Sequence, residues 1–500
     1  MSPLGYAWLT HHYNFGERWL STESRLGSRM RTTHNPDGSV LHEYPPHYAP
    51  GETVIGHLEF ALKHDGVNLC LLRQIFQACG AWPVESCVKA HPTSKYARLL
   101  GFYYELTTGK MLDESLTIGG NYVDALPSGE YVVSPSPRRN RRWRVMDNLL
   151  GDGRFCPTVR LTPDAAQGLA APLQDELQGL VNDFPPELFQ RASDYLYLKE
   201  TRSTYGIEHE AMPPVDRARR FVSLLRSAGR EALARLLTET ELVKRQNLIV
   251  DPRYAVSTFR SNQNYVGEQR PDYSQRIHYI CPPPQYVPQL MEGLSASAER
   301  AAGLHAIVRA ALVAFGFVFV HPFEDGNGRL HRFLIHDVLH RDGFIAPGVM
   351  LPVSATMLRR MQDYDATLER YSLPLLSGLI SYHLDETGNL TVTNPEAVEG
   401  YYRFPDLTHQ VEYLVRTVGI SIREDFAEEL RFLRVYDGAR EAVRDIVDIP
   451  DRKLDLLLRL LHQNQGHLAR GKRSQFEELS DGEIARIETA FAEAFGIDDV

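Results

Sequence analysis

Apolar residues recur at helical spacing on both sides of one short polar segment. Between Leu304 and Phe315 they form a single stripe with steps of three and four residues, which predicts a helix that ends at about Gly316. A second stripe predicts another helix from Arg329 to Leu339. The polar segment between the stripes is therefore expected to be a loop that joins two buried helices.

The first 185 residues show shorter helical patterns, separated by connections rich in glycine and proline. One helix is predicted around Leu69–Phe76, and another over Tyr96–Leu106 with Gly109 after its end. Short strands are predicted at 121–126 and at 131–133. Together these patterns predict a mixed α/β accessory region.

From about residue 396 onward the pattern is again helical. The stretch 454–461 is mostly leucine, and Ser480–Glu483 is a capping box that predicts the start of the last helix. The basic turn 470–473 between them fits either a helical domain packed on the core or a helix-turn-helix. The predicted domains are residues 1–185, 186–395 and 396–500.

Composition is that of an ordinary globular chain of 500 residues, and its net charge of −10 argues against nucleic-acid binding over the whole surface. Five scattered cysteines without a CxxC pair predict free thiols and no zinc ribbon. No secretory signal is evident, and the longest apolar run, 310–320, is too short to cross a bilayer. A cytoplasmic protein without a membrane partner is expected.

The polar segment has the residue types that hold an anion. Gly326, Asn327 and Gly328 precede the second helix, so backbone N–H groups and the positive end of the helix dipole can face one point. Arg329 and Arg332 are three residues apart on that helix and share a face. Guanidinium groups bind phosphate oxygens in a bidentate manner, so a phosphate site is predicted here.

Two further residues of the segment suggest chemistry at the bound phosphate. His321 can accept a hydroxyl proton near neutral pH. Asp325 offers carboxylate oxygens beside the anion site, which suit a Mg²⁺ ion that keeps most of its waters and bridges two phosphates. Phe323 is expected to be buried and to pin the loop. No GxxxxGK[ST] segment occurs, so a P-loop NTPase is unsupported.

The segment His321–Arg332, HPFEDGNGRLHR, resembles the signature loop HPFx[DE]GNGRxxR of the Fic (filamentation induced by cyclic AMP) family. The resemblance implies a mainly α fold with a Fic-type helical core. It also implies transfer of AMP from ATP, with Mg²⁺, to a Ser, Thr or Tyr hydroxyl of a target protein. Relatives of the Doc type, which transfer a phosphoryl group, carry a lysine where this chain has Gly328, so AMP transfer is favoured.

The resemblance assigns a role to each matching residue. His321 becomes the base, Asp325 the metal ligand and Asn327 an anion-hole former. Arg329 and Arg332 become the phosphate clamps, beside the backbone of Gly326 and Gly328. ATP is inferred from the family alone, so another nucleotide donor stays open, as do the target protein and a homodimer.

Two segments upstream of the loop resemble other parts of the family. Residues 257–282 resemble the β-hairpin flap that aligns a target by strand addition, although an ordinary surface hairpin fits the same pattern. Residues 199–210 resemble the inhibitory helix [ST]xxxE[GN], with Thr204 and Glu208 in place but His209 where glycine or asparagine is expected. The resemblance implies that Glu208 pairs with Arg332 and forces ATP into an unproductive pose; a solvated charged helix is the alternative.

Other functions stay open on the sequence alone. Glu208 could instead position a water for removal of AMP from a modified protein. The arginine-rich run Arg138–Arg144 could bind nucleic acid, with the core as a nucleotide sensor, or could be a solvated or partner-docking face. His336 and His340 have the spacing of half a zinc site, but no further ligand motif completes it.

Overall fold

The structure is a computed structural model, and it describes residues 2–15, 20, 22–35, 39–184, 186–210, 213–270, 275–385 and 387–496. Helices account for 58% of the chain, which confirms the predicted mainly α fold. The helices are α1 (Gly5–His12), α2 (Val54–His64), α3 (Leu69–Cys79), α4 (Trp82–Ala90), α5 (Lys95–Thr108), α6 (Pro163–Ala170), α7 (Leu173–Asn182), α8 (Pro186–Ile207), α9 (Val215–Arg226), α10 (Leu233–Leu236), α11 (Glu239–Ile249), α12 (Val287–Arg300), α13 (Ala306–Val320), α14 (Asn327–Arg341), α15 (Val353–Arg359), α16 (Met361–Pro374), α17 (Pro395–Arg403), α18 (Thr408–Ile420), α19 (Ala427–Ile446), α20 (Asp451–Gln463) and α21 (Asp481–Phe495).

The strands form small sheets. They are β1 (Pro3–Leu4), β2 (Thr22–Leu26), β3 (Arg31–His34), β4 (Val40–Tyr44), β5 (Val123–Asp124), β6 (Arg138–Asn140), β7 (Val145–Asp147), β8 (Tyr265–Gln269), β9 (Gln275–Ile280), β10 (Tyr382–Leu384) and β11 (Leu390–Val392). One sheet has the order β1-β2-β4-β3 and another β5-β7-β6, while β8-β9 and β10-β11 are two-stranded. The predicted mixed α/β character of the N-terminal region is thereby confirmed.

The described residues divide into two compact units. The first comprises Met1–Ala171, Thr201–Pro347 and Met357–Val418, and the second comprises Pro172–Glu200, Gly348–Thr356 and Gly419–Val500. The three domain limits expected from the sequence stay a prediction.

The first unit is built around α13. Every one of its residues is buried, because it is apolar on all sides rather than on one stripe. Helix α14 packs against it and is also mostly buried, although it carries arginines and histidines. The loop between these two helices is therefore held from both ends by the core.

The second unit has its own small apolar core. Leu457 and Leu461 of α20 are fully buried with Ile487 and Phe491 of α21. The predicted capping box is present: Glu483 Oε2 accepts from Ser480 N at 2.7 Å, and Ser480 Oγ accepts from Glu483 N at 3.3 Å.

Two predicted helices of the N-terminal region are confirmed, and two predicted strands are largely wrong. Helix α5 ends at Gly109, whose φ of 70° is the left-handed conformation that a helix C-terminus favours. The strand expected at 121–126 shrinks to β5, and Tyr131 forms only an isolated bridge with Arg160. The second strand fails to extend because Pro135 and Pro137 follow at once, and proline cannot donate to a ladder.

The helix predicted to end near Gly316 continues to Val320. Gly316 is needed for close packing instead of termination: a Cβ there would lie 2.6 Å from Leu294 Cδ1 and 3.2 Å from Phe155 Cζ. The glycine lets α12 approach α13, and the four extra residues carry the helix to the histidine of the loop.

Among the described residues, no helix is both long and apolar enough to span a membrane. All five cysteines are free thiols, as predicted.

We expect Gly316→Ala to lower the free energy of unfolding by about 1–3 kcal/mol, because the added methyl group overpacks the contact between α12 and α13. Chemical denaturation of the whole chain measures the change. Gly129→Ala is the matched control, since no atom lies within 4 Å of a Cβ built there. Equal stability of the two variants would contradict the packing argument.

Candidate active site

The loop begins with a histidine in an unusual backbone conformation. His321 directly follows α13 and has φ 52° and ψ 60°, in the left-handed region that residues with a side chain rarely adopt. Its N–H still donates to Phe317 O at 2.9 Å, so the residue closes the last turn of the helix. The conformation turns the chain sharply where the site begins.

The imidazole of His321 is set up to be neutral. Its Nδ1 lies 3.1 Å from Val318 O, and because a carbonyl oxygen can only accept, Nδ1 carries the hydrogen. This leaves Nε2 with a free lone pair. Burial and the positive charge of Arg260 lower the pKa of His321 to about 4, so the ring can accept a proton at neutral pH.

Asn327 shapes the loop from within. Its Oδ1 accepts from Phe323 N at 3.0 Å and its Nδ2 donates to Phe323 O at 2.8 Å. The Phe323 ring is buried against Phe259, as expected of a residue that pins the loop. Since both polar atoms of the Asn327 side chain bind the loop backbone, the anion-hole role stays a prediction.

The two glycines of the loop serve different purposes. Gly326 has φ 90° and precedes α14, which lets the chain turn into the helix. Gly328 makes room for a carboxylate, because a Cβ at this position would lie 2.1 Å from Glu208 Oε1. A lysine here, as in the Doc type, would collide with that carboxylate.

The predicted partnership of Arg332 with Glu208 is present. Arg332 is 2% exposed, and its Nη2 donates to Glu208 Oε1 at 2.6 Å and to Thr204 O at 3.0 Å. Its Nε donates to Thr204 Oγ1. Burial alone would raise the pKa of Glu208, but Arg332, together with Arg329 and His321, holds that pKa below its usual value.

His209, the departure from the family pattern, keeps the expected backbone. It has φ 55°, the left-handed conformation for which glycine and asparagine are usually selected. Its N–H donates to Gly206 O at 3.0 Å, which ends α8 in a tight turn. The substitution therefore leaves Glu208 in place.

Arg329 has partners that sequence reasoning missed. It is 1% exposed, and its Nη2 donates to Asp325 Oδ1 at 2.5 Å and lies 3.3 Å from Glu210 Oε1. The guanidinium also lies over the Tyr205 ring, 5.3 Å from its centroid. The only signal in the sequence was a second glutamate two residues after Glu208.

Asp325 fits the role of a metal ligand in one respect. About 41% of its side chain is exposed, so a cation could approach the carboxylate. Among the described residues no group of three or more His, Cys, Asp or Glu side chains surrounds a common point. The role of Asp325 as a metal ligand therefore stays a prediction.

The predicted flap hairpin is present. Strands β8 and β9 pair antiparallel, with an irregularity between Val266 and Gly267. Residues 271–274 of the predicted flap lie outside the described residues. Strand addition by a target stays a prediction.

Three further candidates were predicted outside residues 321–332. In the arginine-rich run, Arg142 turns inward and donates to Glu105 Oε1 at 2.9 Å, whereas Arg138, Arg139, Arg141 and Arg144 are exposed. His336 and His340 are not exposed, burial lowers the pKa of His340 to about 4, and no described cluster completes a metal site around them. In the basic turn before α21, Arg473 donates to Leu479 O at 2.5 Å. Nucleic-acid binding therefore stays a prediction.

We expect the His321 imidazole to titrate near pH 4, since burial and Arg260 disfavour its cation. As the pH falls, the unfolded chain binds a proton at this histidine before the folded chain does. The contribution of the neutral ring to the free energy of unfolding is therefore complete above the unfolded pKa of 6.5 and is lost as the pH falls toward 4. NMR titration of labelled histidine measures the midpoint, with His321→Ala to assign the resonance. A midpoint at 6.5 or above would refute the argument.

Part of this chain is similar to known proteins. The model of the Fic/DOC family matches residues 236–339. The protein adenylyltransferase Fic of Drosophila mojavensis is 32% identical over 147 residues, which is 29% of this chain and 26% of that protein. The protein of the same name from Drosophila melanogaster is 36% identical over 96 residues, 19% of this chain and 17% of the relative.

The chain thus spans about a quarter or less of the length of these relatives, and Glu208 lies before the segment matched by the family model. A crystal structure of a Fic family protein from Desulfovibrio desulfuricans G20 is 18% identical to this chain, with a TM-score of 0.36. The match covers 69% of this chain and 87% of that protein. The matched segment contains the whole loop from His321 to Arg332. Residues 236–339 of this chain thus match the Fic/DOC family.

Proposed function

We propose that this protein transfers AMP from ATP to a hydroxyl group of a target protein and that Glu208 holds it inactive at rest. The observation that carries the proposal is one contact: the Glu208 carboxylate lies on Arg332, a residue of the signature loop, at 2.6 Å. The names of the relatives, which are protein adenylyltransferases, support the reaction class.

In the proposed reaction His321 Nε2 takes the proton of the target hydroxyl. The hydroxyl oxygen then attacks the α-phosphorus of ATP in line, a P–O bond to the target forms, and the bond to the departing pyrophosphate breaks. The role needs a neutral ring, which agrees with the lowered pKa of His321. The proton ends on the imidazole and the negative charge leaves with pyrophosphate.

Arg329 and Arg332 hold the phosphates while this happens. Both guanidinium groups are buried, so their attraction for phosphate is weakly screened by water. A Mg²⁺ ion beside Asp325 would neutralise phosphate charge in the same place. Positioning together with charge stabilisation provides most of the catalysis expected for a reaction at phosphorus.

Inhibition follows from competition for Arg332. A carboxylate and a phosphate both need the fork of the guanidinium, and only one of them fits at a time. Glu208 also fills the space above Gly328, where the backbone would meet a phosphate. We infer that ATP binds productively only when Glu208 moves away.

We expect Glu208→Gly to raise AMP transfer about tenfold to a hundredfold, because a hydrogen bond between charged groups contributes about 1.5–3 kcal/mol. Glu208→Gln keeps the shape but removes the charge and should give an intermediate rate. Labelled ATP with the purified protein and with lysate measures transfer, and intact mass spectrometry with each nucleoside triphosphate identifies the group transferred.

His321→Ala in the Glu208→Gly protein is the matched control and should abolish labelling. If the Glu208→Gly protein labels neither itself nor any lysate protein above this control, AMP transfer as proposed is wrong. If the wild-type chain is as active as Glu208→Gly, the inhibitory role is wrong while the reaction stands.

A further inference from the structure

Arg260 connects the flap to the catalytic loop. It is 6% exposed and lies just before β8. Its Nε donates to His321 O at 2.7 Å, and its backbone N–H donates to Pro322 O at 2.9 Å. Its Nη2 donates to Pro282 O at 2.6 Å, just after the end of β9. One side chain thus binds both ends of the flap and the backbone of the histidine.

The partners of this guanidinium are unusual. They are backbone carbonyl oxygens rather than carboxylates, and two of them belong to Val320 and His321 at the C-terminal end of α13. The last carbonyls of a helix lack partners within the helix and carry its negative partial charge. Arg260 satisfies them and gains electrostatic stabilisation, which offsets part of the cost of burying its charge.

Neighbouring residues of the flap add further contacts to the loop. Asn262 Nδ2 donates to Glu324 Oε1 at 3.3 Å, and Asn264 Nδ2 lies 3.3 Å from Phe323 O. Lysine could not replace Arg260, because a single ammonium group cannot reach carbonyls in several directions. The base of the flap and the start of the loop therefore form one hydrogen-bonded assembly.

Arg260 also affects the charge of the imidazole. After burial, which lowers the His321 pKa most, the charged groups with the largest effects are Arg260 at the base of the flap, Glu208 at the end of α8 and Asp325 in the loop. The two carboxylates favour the imidazolium, whereas Arg260 opposes it. Arg260 is the charged group that counteracts protonation of the ring.

We propose that Arg260 is a positioning residue for AMP transfer, since its guanidinium fixes the backbone of His321 against the flap. This contact would keep a target strand on the flap at a fixed distance from the catalytic base, His321. The inference rests on the proposed function. It adds a residue outside the signature loop whose loss should slow the chemical step without weakening the binding of ATP.

In the Glu208→Gly background, Arg260→Gln is expected to slow transfer at saturating ATP about tenfold to a hundredfold, because small displacements of a reacting group are costly. Its affinity for ATP should not change, since Arg260 contacts neither phosphate clamp. The acid limb of the pH–rate profile should move to higher pH, because the pKa of His321 rises toward 6.5 when the positive charge is lost. Arg260→Lys should keep that limb in place while transfer is still slow.

Arg300→Gln is the matched control, because Arg300 is another buried arginine, bound to Leu149 O at 2.7 Å and to Asp147. It should cost stability but leave the transfer rate of the folded protein unchanged. The proposal is overturned if Arg260→Gln transfers at the parent rate, if its ATP affinity falls in proportion to the rate, or if Arg300→Gln is equally slow. If Glu208→Gly itself transfers nothing, the proposed function fails. The positioning role is overturned separately if Arg260→Gln leaves the backbone NMR chemical shifts of His321 and Pro322 unchanged.

A second inference concerns Glu210, which lies on the other phosphate clamp. Its Oε1 is 3.3 Å from Arg329 Nη2, and 38% of its side chain is exposed. His209, with its left-handed backbone, separates Glu210 from Glu208. The turn after α8 therefore places one carboxylate on each arginine of the signature loop.

We infer that Glu210 is a second inhibitory carboxylate that competes with phosphate for Arg329, in addition to the proposed action of Glu208 on Arg332. Release of Glu208 alone would then leave half of the anion site occupied. Calorimetry with ATP and Mg²⁺ in a His321→Ala background tests this without any transfer reaction. Glu210→Gln should tighten ATP binding roughly twofold to fivefold, both alone and together with Glu208→Gly.

Asp216→Asn is the control, because Asp216 is exposed and forms a long ion pair of 4.0 Å with the exposed Arg219 on α9. It should leave ATP affinity unchanged. Unchanged affinity in Glu210→Gln overturns the inference. A lower affinity of Glu210→Gln for ATP also overturns the inference, because a lower affinity is expected if Glu210 helps to bind the Mg²⁺ ion.

Discussion

The ion pair between Glu208 and Arg332 is the contact on which the proposed inhibition depends. A guanidinium that is 2% exposed is costly unless a negative group neutralises it. The chain provides that group itself, from the end of α8. If ATP binds as proposed, its phosphate would replace the carboxylate on the same buried guanidinium.

Backbone conformation decides whether this competition is possible. His321 and Gly326 both have positive φ, so the loop turns sharply twice within six residues and leads directly into α14. His209 has positive φ as well, which turns the chain after α8 toward the arginines. In each case tertiary contacts hold a conformation that the residue type does not require. Gly328 then provides the space that the Glu208 carboxylate fills.

Charges around the loop divide into two groups with different partners. Glu208, Glu210 and Asp325 lie on Arg329 and Arg332 in the first turns of α14, where phosphate is expected. Arg260 lies on the other side of the loop, against the backbone of His321. The carboxylates can therefore neutralise the two arginines while the imidazole stays neutral, because burial and then Arg260 oppose the protonation that those carboxylates favour.

The sequence by itself determined the helix–loop–helix arrangement and the residues of the loop, because helical periodicity and a motif of twelve contiguous residues are local signals. It also indicated Thr204 and Glu208 through a spaced motif. Only the tertiary structure placed Arg260 on His321 and Glu210 on Arg329, contacts between residues 61 and 119 positions apart that no local pattern encodes. It also moved the end of α13 from Gly316 to Val320, because that glycine is required by a neighbouring helix. Packing decides such features, since the partner that gives a residue its role comes from elsewhere in the chain.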